Sequence, residues 1–401
     1  MALLTYQYRL YPRRAEKQRL VQLLEQGKLV YNFALEVCRN TYEATGEHVK
    51  AVSLWQHFRD WRNSVPEADR YLNASSLQHL LRRLDKAYAA FFRRLKEGDK
   101  AGHPRFKSRE RFNSVEYTYG DGVKLVQDNQ RVLLYVQRIG SLKVKFHRSL
   151  PTGAVIKHVA IKRKASGWYV NLQLEVPTPE FVPNGQPPVA GDVGLLRLLT
   201  LSDGTAIDNP RWLRRSLSKL RRAQRRLSRR QQGSNRRRKA RRQVALLHEH
   251  VAHTRRDFWH KVTTALVNTY GAIALETLNL NFMLRNGHLS LSAHDAGLGM
   301  FYALLDSKAA NAGCTVARVD PAYTSQICSA CGGLVEKALS VRVHDCPHCG
   351  LTIDRDLNAA RNIFKLAFEY ARIERSGVNA APLPPPSGDG KRTRSLRSSP
   401  L

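Results

Sequence analysis

The chain holds 401 residues with a formal net charge of +33, from 66 Lys and Arg against 33 Asp and Glu, and an isoelectric point near 10.4. That length excludes a peptide-scale scaffold and accommodates about two or three domains with a sizeable core. The charge excess goes well beyond solubility and points to a polyanion, nucleic acid foremost, with an anionic membrane surface or a ribosomal setting as the blander alternatives.

Residues 3–10 read as an isolated strand ending at Pro12, and residues 16–41 and 75–97 as amphipathic helices. The second helix carries Leu77, Leu80, Leu81, Leu84, Tyr88, Phe91 and Phe92 along one stripe. Arg82, Arg83, Lys86, Arg93, Arg94 and Lys96 fall mostly on its other faces, and each is by itself more simply a solvated charge than a specific contact. From Gly102 the texture changes to short strands at 131–135, 141–146, 154–162 and 168–176. In the last of these, Val170, Leu172, Leu174 and Val176 alternate with Asn171, Gln173 and Glu175. A small barrel or curled sheet is expected. Pro177, Pro179, Pro183, Pro187 and Pro188 then punctuate a linker that marks the main domain boundary.

Residues 189–193 and 198–202 read as a strand pair, with Asp203-Gly204 turning into a third short strand. The stretch 211–242 holds sixteen Lys and Arg and no acid, while Leu213, Leu217, Leu220 and Leu227 recur at helical spacing. A basic run with such a stripe is a packed helix facing phosphates. Residues 231–235 break it, and a second helix over 236–270 buries Val244, Leu247, Val251, Phe258, Val262 and Leu266. The apolar strand 272–275 ends in Glu276-Thr277, and a last helix runs from Asp356 to about residue 373. The tail from Ser376 is too polar and too rich in Pro, Gly and Arg to fold. There is no internal repeat.

Of six cysteines, four form the pattern Cys328-x2-Cys331-x14-Cys346-x2-Cys349, with Gly332 and Gly350 easing each turn. Four thiolates complete a closed tetrahedral set for one structural Zn²⁺, so the ribbon alone indicates folding or binding, not catalysis. His344 and His348 are spare ligand types beside that set. Cys38 and Cys314 sit among apolar residues and read as core. With no secretory apolar segment near Met1 and no stretch of membrane length, a reduced cytoplasmic protein without membrane association is expected. His248, Glu249, His250 and His253 do not form a zinc-protease motif, because His248 and His253 are five apart and face different sides of a helix.

Asp192 lies in Pro188-Val189-Ala190-Gly191-Asp192-Val193-Gly194, an apolar strand in which an unpaired carboxylate is costly and a cation is expected. A strand-end aspartate capping a turn is the plainer reading. Glu276 repeats the pattern at the end of a second apolar strand, and Asp356 opens a helix, where it could equally be an N-terminal cap. Together, in so basic a chain, these carboxylates suggest a phosphodiesterase site. Asp192 would bridge two Mg²⁺ ions, with Glu276 and Asp356 holding one each, because carboxylate oxygens are the hard ligands such ions select.

The segments Ala190-Gly191-Asp192-Val193-Gly194 and Ala274-Leu275-Glu276-Thr277-Leu278-Asn279, the four cysteines, and Asp354-Arg355-Asp356-Leu357-Asn358-Ala359-Ala360-Arg361-Asn362-Ile363 resemble, in this order, the TnpB family. These are transposon-encoded RNA-guided nucleases related to type V CRISPR effectors. Tyr8-Arg9-Leu10-Tyr11-Pro12, Val30-Tyr31-Asn32, Leu84-Asp85-Lys86-Ala87, Phe91-Phe92-Arg93-Arg94 and Pro104-Arg105-Phe106-Lys107 resemble the family's N-terminal signposts, so the likeness runs from residue 5 to about 373. Two departures stand out. Ala190-Gly191 precede Asp192 where the family usually has glycine and then an aliphatic residue, and Leu298 stands in Asp295-Ala296-Gly297-Leu298-Gly299 where an aromatic is common.

The resemblance implies a multidomain α/β and α+β protein. Residues 1–12 and 100–178 would form a wedge-like β-barrel with an inserted helical recognition domain at 13–99. After a linker at 179–188, residues 189–326 and 351–375 would form a RuvC-type RNase H-like nuclease domain, interrupted by the zinc ribbon at 327–350 and followed by a disordered tail at 376–401. It implies Asp192, Glu276 and Asp356, not Asp354, as the catalytic set, and a Mg²⁺-dependent RNA-guided DNA endonuclease of an insertion sequence. Its partners would be a guide RNA from the element's end and a double-stranded DNA target beside a short flanking motif, with a monomeric protein in a prokaryotic cytoplasm, at the nucleoid when bound. Gln78 aligns with a family position near the flanking motif, where an amide can read an adenine edge, although an exposed polar residue is the plainer reading. Arg221, Arg222, Arg225 and Arg226 are the phosphate contacts expected on the basic helix. The competing functions are a DNA transposase and a cleavage-deficient RNA-guided repressor. The ribbon's place between the second and third carboxylates favours the nuclease over the former, and retention of all three acids speaks against the latter.

Overall fold

The computed structural model describes residues 2–128, 131–178, 180–338 and 340–370, so the tail expected to be disordered from residue 376 lies outside the described residues. The chain divides into two compact units, one made of Met1–Pro179 and Ala223–Glu249, the other of Glu180–Arg222 and His250 onward. Among the described residues no helix is long and apolar enough to cross a membrane.

In the first unit β1 (Ala2–Tyr11) is followed by α1 (Arg14–Thr45), α2 (Trp55–Ser64) and α3 (Ala74–Lys96). Then come β2 (Ser114–Thr118), β3 (Val123–Asp128), β4 (Arg131–Val136), β5 (Gly140–Lys145), β6 (Val155–Arg163) and β7 (Trp168–Val176). The strands form one antiparallel seven-stranded sheet in the order β2-β6-β7-β1-β5-β4-β3. β1, first in sequence, lies inside it and pairs along its length with β7, whose alternate residues Trp168, Val170, Leu172, Leu174 and Val176 are all buried. Among the described residues the ladder runs from β2 to β3, which are not paired with each other. Neither end strand is among those expected from the sequence. In β2 the alternation is present, since Val115 and Tyr117 are buried and alternate with Ser114, Glu116 and Thr118, whereas β3 buries only Val123.

Helix α3 buries Leu77, Leu80, Leu81, Leu84, Tyr88 and Phe91, the stripe expected from its periodicity. Its start is fixed by Asn73, whose side-chain oxygen accepts the Ser76 amide at 2.9 Å, and by Asp121, which accepts the Ser75 amide. The segment Ala223–Glu249 joins this unit through polar contacts. Arg241 pairs with Glu110, Arg242 donates to the Ala165 carbonyl, and the Ser166 hydroxyl donates to Glu249 at 2.6 Å.

From residue 188 the elements are β8 (Pro188–Asp192), β9 (Arg197–Leu201), β10 (Ala206–Asp208), α4 (Trp212–Ser228), α5 (Asn235–Thr269) and β11 (Ala272–Glu276). They continue with α6 (Leu280–Arg285), α7 (Ser290–Ala296), α8 (Leu298–Ala309), β12 (Thr315–Val319), β13 (Val343–Asp345), β14 (Thr352–Asp354), α9 (Arg355–Phe364) and a π-helical turn at Lys365–Tyr370. The sheet of the second unit has the order β10-β9-β8-β11-β12. Neighbours are antiparallel from β10 to β8 and parallel from β8 to β12. β8 is central because it is apolar on both faces. On one side Val189, Leu199, Leu201, Ile273, Leu275, Trp259 and Phe301 form the main core, and on the other Ala190 and Ala274 pack against Ile363 of α9. Alanines at that contact let the helix backbone approach the sheet closely.

Residues 278–319 carried no legible pattern. Helix α8 is apolar nearly all round, so neither period stands out, and β12 is a sheet-edge strand with Arg318 in it. Asp295, 1% exposed, accepts the Leu213 and Arg214 amides and so fixes the start of α4. Cys38 and Cys314 are buried, as their apolar surroundings suggest.

Candidate active site

β8 and β11 run parallel with Leu275 opposite Gly191, so Asp192 and Glu276, the last residues of their strands, emerge at the same end of the sheet. Helix α9 brings Asp356 in its first turn to the same place. Burial pushes the Asp192 carboxyl up to about 8 from its ordinary 3.8, and the Glu276 and Asp356 carboxylates push in the same direction, while Arg355 opposes them. Glu276 is also raised, first by burial; the Thr324 hydroxyl and Arg355 pull it down and Asp320 adds to the rise. The Tyr302 hydroxyl donates to the Glu276 carbonyl at 3.2 Å.

The three carboxylates thus meet at one end of the sheet, Glu276 buried and Asp192 and Asp356 half-buried. Near neutral pH such a group either takes up a proton or recruits cations, and an all-oxygen donor set suits a hard divalent ion. Among the described residues, only the four cysteines form a group of three or more His, Cys, Asp or Glu whose ligand atoms all lie within 4.8 Å of one another. The three carboxylates do not all lie within that distance of one another.

Asp354 and Asp356 are given different work. Asp354 is the N-cap of α9: its Oδ1 accepts the Asp356 and Leu357 amides at 2.9 and 3.2 Å, and its Oδ2 pairs with Arg197 at 2.9 Å. The capping role that Asp356 could have filled therefore belongs to Asp354. The Asp356 carboxylate adds to the rise of the Asp192 carboxyl, and the Arg342 guanidinium lies 3.9 Å from one Asp356 oxygen.

The sulfurs of Cys328 and Cys349, and those of Cys331 and Cys346, lie 3.6 Å apart. Zn–S bonds of about 2.3 Å in a tetrahedron place sulfurs about 3.8 Å apart, so the cluster fits Zn²⁺ with little adjustment. Gly332 and Gly350, at φ 78° and 74°, let the Gly332 and Gly350 amides turn back onto the Cys328 and Cys346 carbonyls. His344 and His348 stand outside the cluster; His344 is fully buried and pairs with Lys337. The ribbon is bound to α9 from two sides. The strand β13 pairs with β14 so that Val343 lies opposite Asp354. Asn358, fully buried, accepts the Ser329 amide and donates to the Ile327 carbonyl, and Asn362 donates to the Thr324 and Ile327 carbonyls.

Thr324, Arg197, Arg355, Asn358 and Asn362 are site residues that no spacing or periodicity in the sequence singles out. The last three lie inside the motif that carries Asp356, which is the only signal that could have pointed to them. The remaining candidates lie elsewhere. Arg221, Arg222, Arg225 and Arg226 are all exposed on α4, while Leu220 is buried and Leu213, Leu217 and Leu227 are half-buried. Gln78 is half-buried near the start of α3.

The OrfB_IS605 profile, described as "Probable transposase", matches residues 171–287, the "Cas12f1-like, TNB domain" profile matches 299–363, and a "Helix-turn-helix domain" profile of the OrfB_IS605 group matches 1–47. In the structure the last span holds β1 and the whole of α1, a strand and one helix. A Streptomyces pristinaespiralis protein named "Putative RNA-guided DNA endonuclease" is 34% identical over 365 residues, 89% of this chain and 88% of its own length. An Escherichia coli K12 protein named "Putative RNA-guided DNA endonuclease InsQ" is 31% identical over 354 residues, 84% of this chain and 85% of its own length. The chain belongs to the TnpB family. Its fold is Cas12-like: the structure titled "Cryo-EM structure of the Cas12f1-sgRNA-target DNA complex" matches with a TM-score of 0.56 at 17% identity, over 87% of this chain and 82% of that one. The departure from the usual TnpB strand sequence has a packing reason. A Cβ on Gly191 would lie 2.6 Å from Leu199 Cδ1 and 3.1 Å from Leu201 and Leu275 methyls, so these leucines occupy the room that an aliphatic residue would need.

Proposed function

We propose that this chain is an RNA-guided DNA endonuclease of an insertion sequence, and that Asp192, Glu276 and Asp356 hold two Mg²⁺ ions for phosphodiester hydrolysis beside a short flanking motif. The observation that carries this reading is the meeting of these three carboxylates at one end of the β8–β11 sheet. It is supported by near-full-length relatives whose names describe RNA-guided endonucleases. The sheet order, with the first acid on the central strand and the third on a helix packed across it, is what a RuvC-type RNase H-like nuclease needs. When bound, the ions would activate the attacking water and stabilise the leaving oxygen. The chain's own contribution is to hold hard ligands in a buried place, to cap α9 with Asp354 so that Asp356 stays available, and to balance the site with Arg355. Guide RNA would read sequence, and the cationic surface would hold the backbones. Sequencing of copurified RNA, followed by cleavage of DNA matching that guide beside randomised flanks, tests the reading. Retrieval of no discrete RNA species, or of one that directs binding without cutting, would remove it.

Two expected outcomes follow for the nucleic-acid surfaces. Changing Arg221, Arg222, Arg225 and Arg226 to Gln leaves the leucine stripe of α4 intact, so folding should survive while RNA or heteroduplex binding weakens. Its log-log salt slope should become shallower by up to about 0.7 to 0.9 per lost contact, and an unchanged slope would show these arginines to be merely solvated. At the other site, Gln78→Ala should relax or weaken the flanking-motif preference while guide binding stays as in the parent. A depletion assay giving the same motif and strength for both proteins would take Gln78 off the reading surface.

A further inference from the structure

We propose that Thr324 is a positioning residue for Glu276, held in place by Asn362 of α9, so that one helix sets two of the three acidic ligands. The inference rests on the reading of Glu276 as a metal ligand. Thr324 is 3% exposed and Glu276 7%. The Thr324 hydroxyl has two acceptors in reach, Glu276 Oε1 at 2.5 Å and the Pro321 carbonyl at 3.1 Å. Its single proton goes to the carboxylate, which is nearer and charged.

The backbone on the other side of Thr324 is fastened to α9. Asn362 Nδ2 donates to the Thr324 carbonyl at 2.8 Å and to the Ile327 carbonyl at 2.7 Å. Asn358, one helical turn earlier on the same face, takes both the Ile327 carbonyl and the Ser329 amide, and Lys365 Nζ donates to the Ser329 carbonyl at 2.7 Å. Residues 324–329 therefore move with α9. The helix presents Asp356 directly from its first turn and, through Asn362 and the Thr324 hydroxyl, aims Glu276. A glutamate has three side-chain torsions to fix, and a buried hydroxyl that fixes them beforehand removes that cost from ion binding.

The test uses the RNA-bound protein with Mn²⁺ alone as the probe, titrated by electron paramagnetic resonance of the free ion, and cleavage followed against Mg²⁺ concentration. Loss of a hydrogen-bond partner to a ligating carboxylate costs about ten- to a hundredfold in metal affinity. Thr324→Val, nearly isosteric, should therefore weaken Mn²⁺ binding by about tenfold or more and shift the Mg²⁺ requirement for cleavage by a similar factor. Zinc content and target binding should be unchanged, and Thr324→Ser should behave as the parent. In a Glu276→Gln background the same Val substitution should have little further effect on Mn²⁺. Parent-like Mn²⁺ affinity in Thr324→Val, a Ser variant as impaired as Val, or an equal loss in the Glu276→Gln background would each overturn the assignment. A parent complex that shows no Mn²⁺ site sensitive to Asp192→Ala would overturn the metal site itself and Thr324 with it.

Discussion

Asp192→Ala is expected to lower cleavage by about a thousandfold or more while guide and target binding stay near the parent's, because bound metal supplies several kcal/mol at the chemical step alone. Residual cutting within about tenfold of the parent would refute the site assignment, since tenfold is only about 1.4 kcal/mol. A second signature follows from the ionisation of the same group. The Asp192 carboxyl is raised in the fold from 3.8 to about 8. Its ionised form therefore weighs against the folded state, with no penalty below the ordinary carboxylate range, a growing one as pH rises, and the full one above about 8. Asp192→Asn should accordingly raise the melting temperature in Mg²⁺-free buffer at pH 8, change it little at pH 4, and still not cleave. Equal melting of parent and variant at pH 8 would show that the carboxylate carries no such burden. A site kept at the expense of stability is what a cation-binding function requires.

Cys346→Ser should remove the ribbon zinc, lower thermal stability and reduce cleavage indirectly. Binding of structural zinc amounts to about 10 kcal/mol or more in small zinc domains, and that free energy is folding free energy there. Here it reaches α9 by two routes. Cys346 directly follows β13, which pairs with β14, and β14 ends in the cap residue Asp354. Cys328 begins the knuckle that Asn358 and Asn362 fasten to the helix. Freeing the knuckles should therefore disturb Asp356 and, through Thr324, Glu276 as well. Metal analysis and calorimetry check this: unchanged zinc content and melting in the variant would refute the ribbon. Mn²⁺ or Mg²⁺ supplied in excess should not restore the parent's melting curve.

The sequence by itself determined whatever has a local period or a fixed spacing. The strand 168–176, the stripe on α3, the basic helix broken at 231–235 and the four-cysteine pattern all follow from side chains that must alternate, recur at helical spacing or ligate in pairs. It could also single out Asp192 and Glu276, since an acid closing an apolar strand is conspicuous without any structure. The tertiary structure decided the rest. Strand β3 and the run from α6 to β12 depend on neighbours to complete their burial, so their own residues show no clear alternation or stripe. The division of labour between Asp354 and Asp356 depends on cap geometry and on Arg197, which comes from a strand far away in sequence. Thr324 is read only from its contact with Glu276, 48 residues earlier in the chain. Hydrogen bonds of that kind join positions that share no period, so they exist only once the chain has folded.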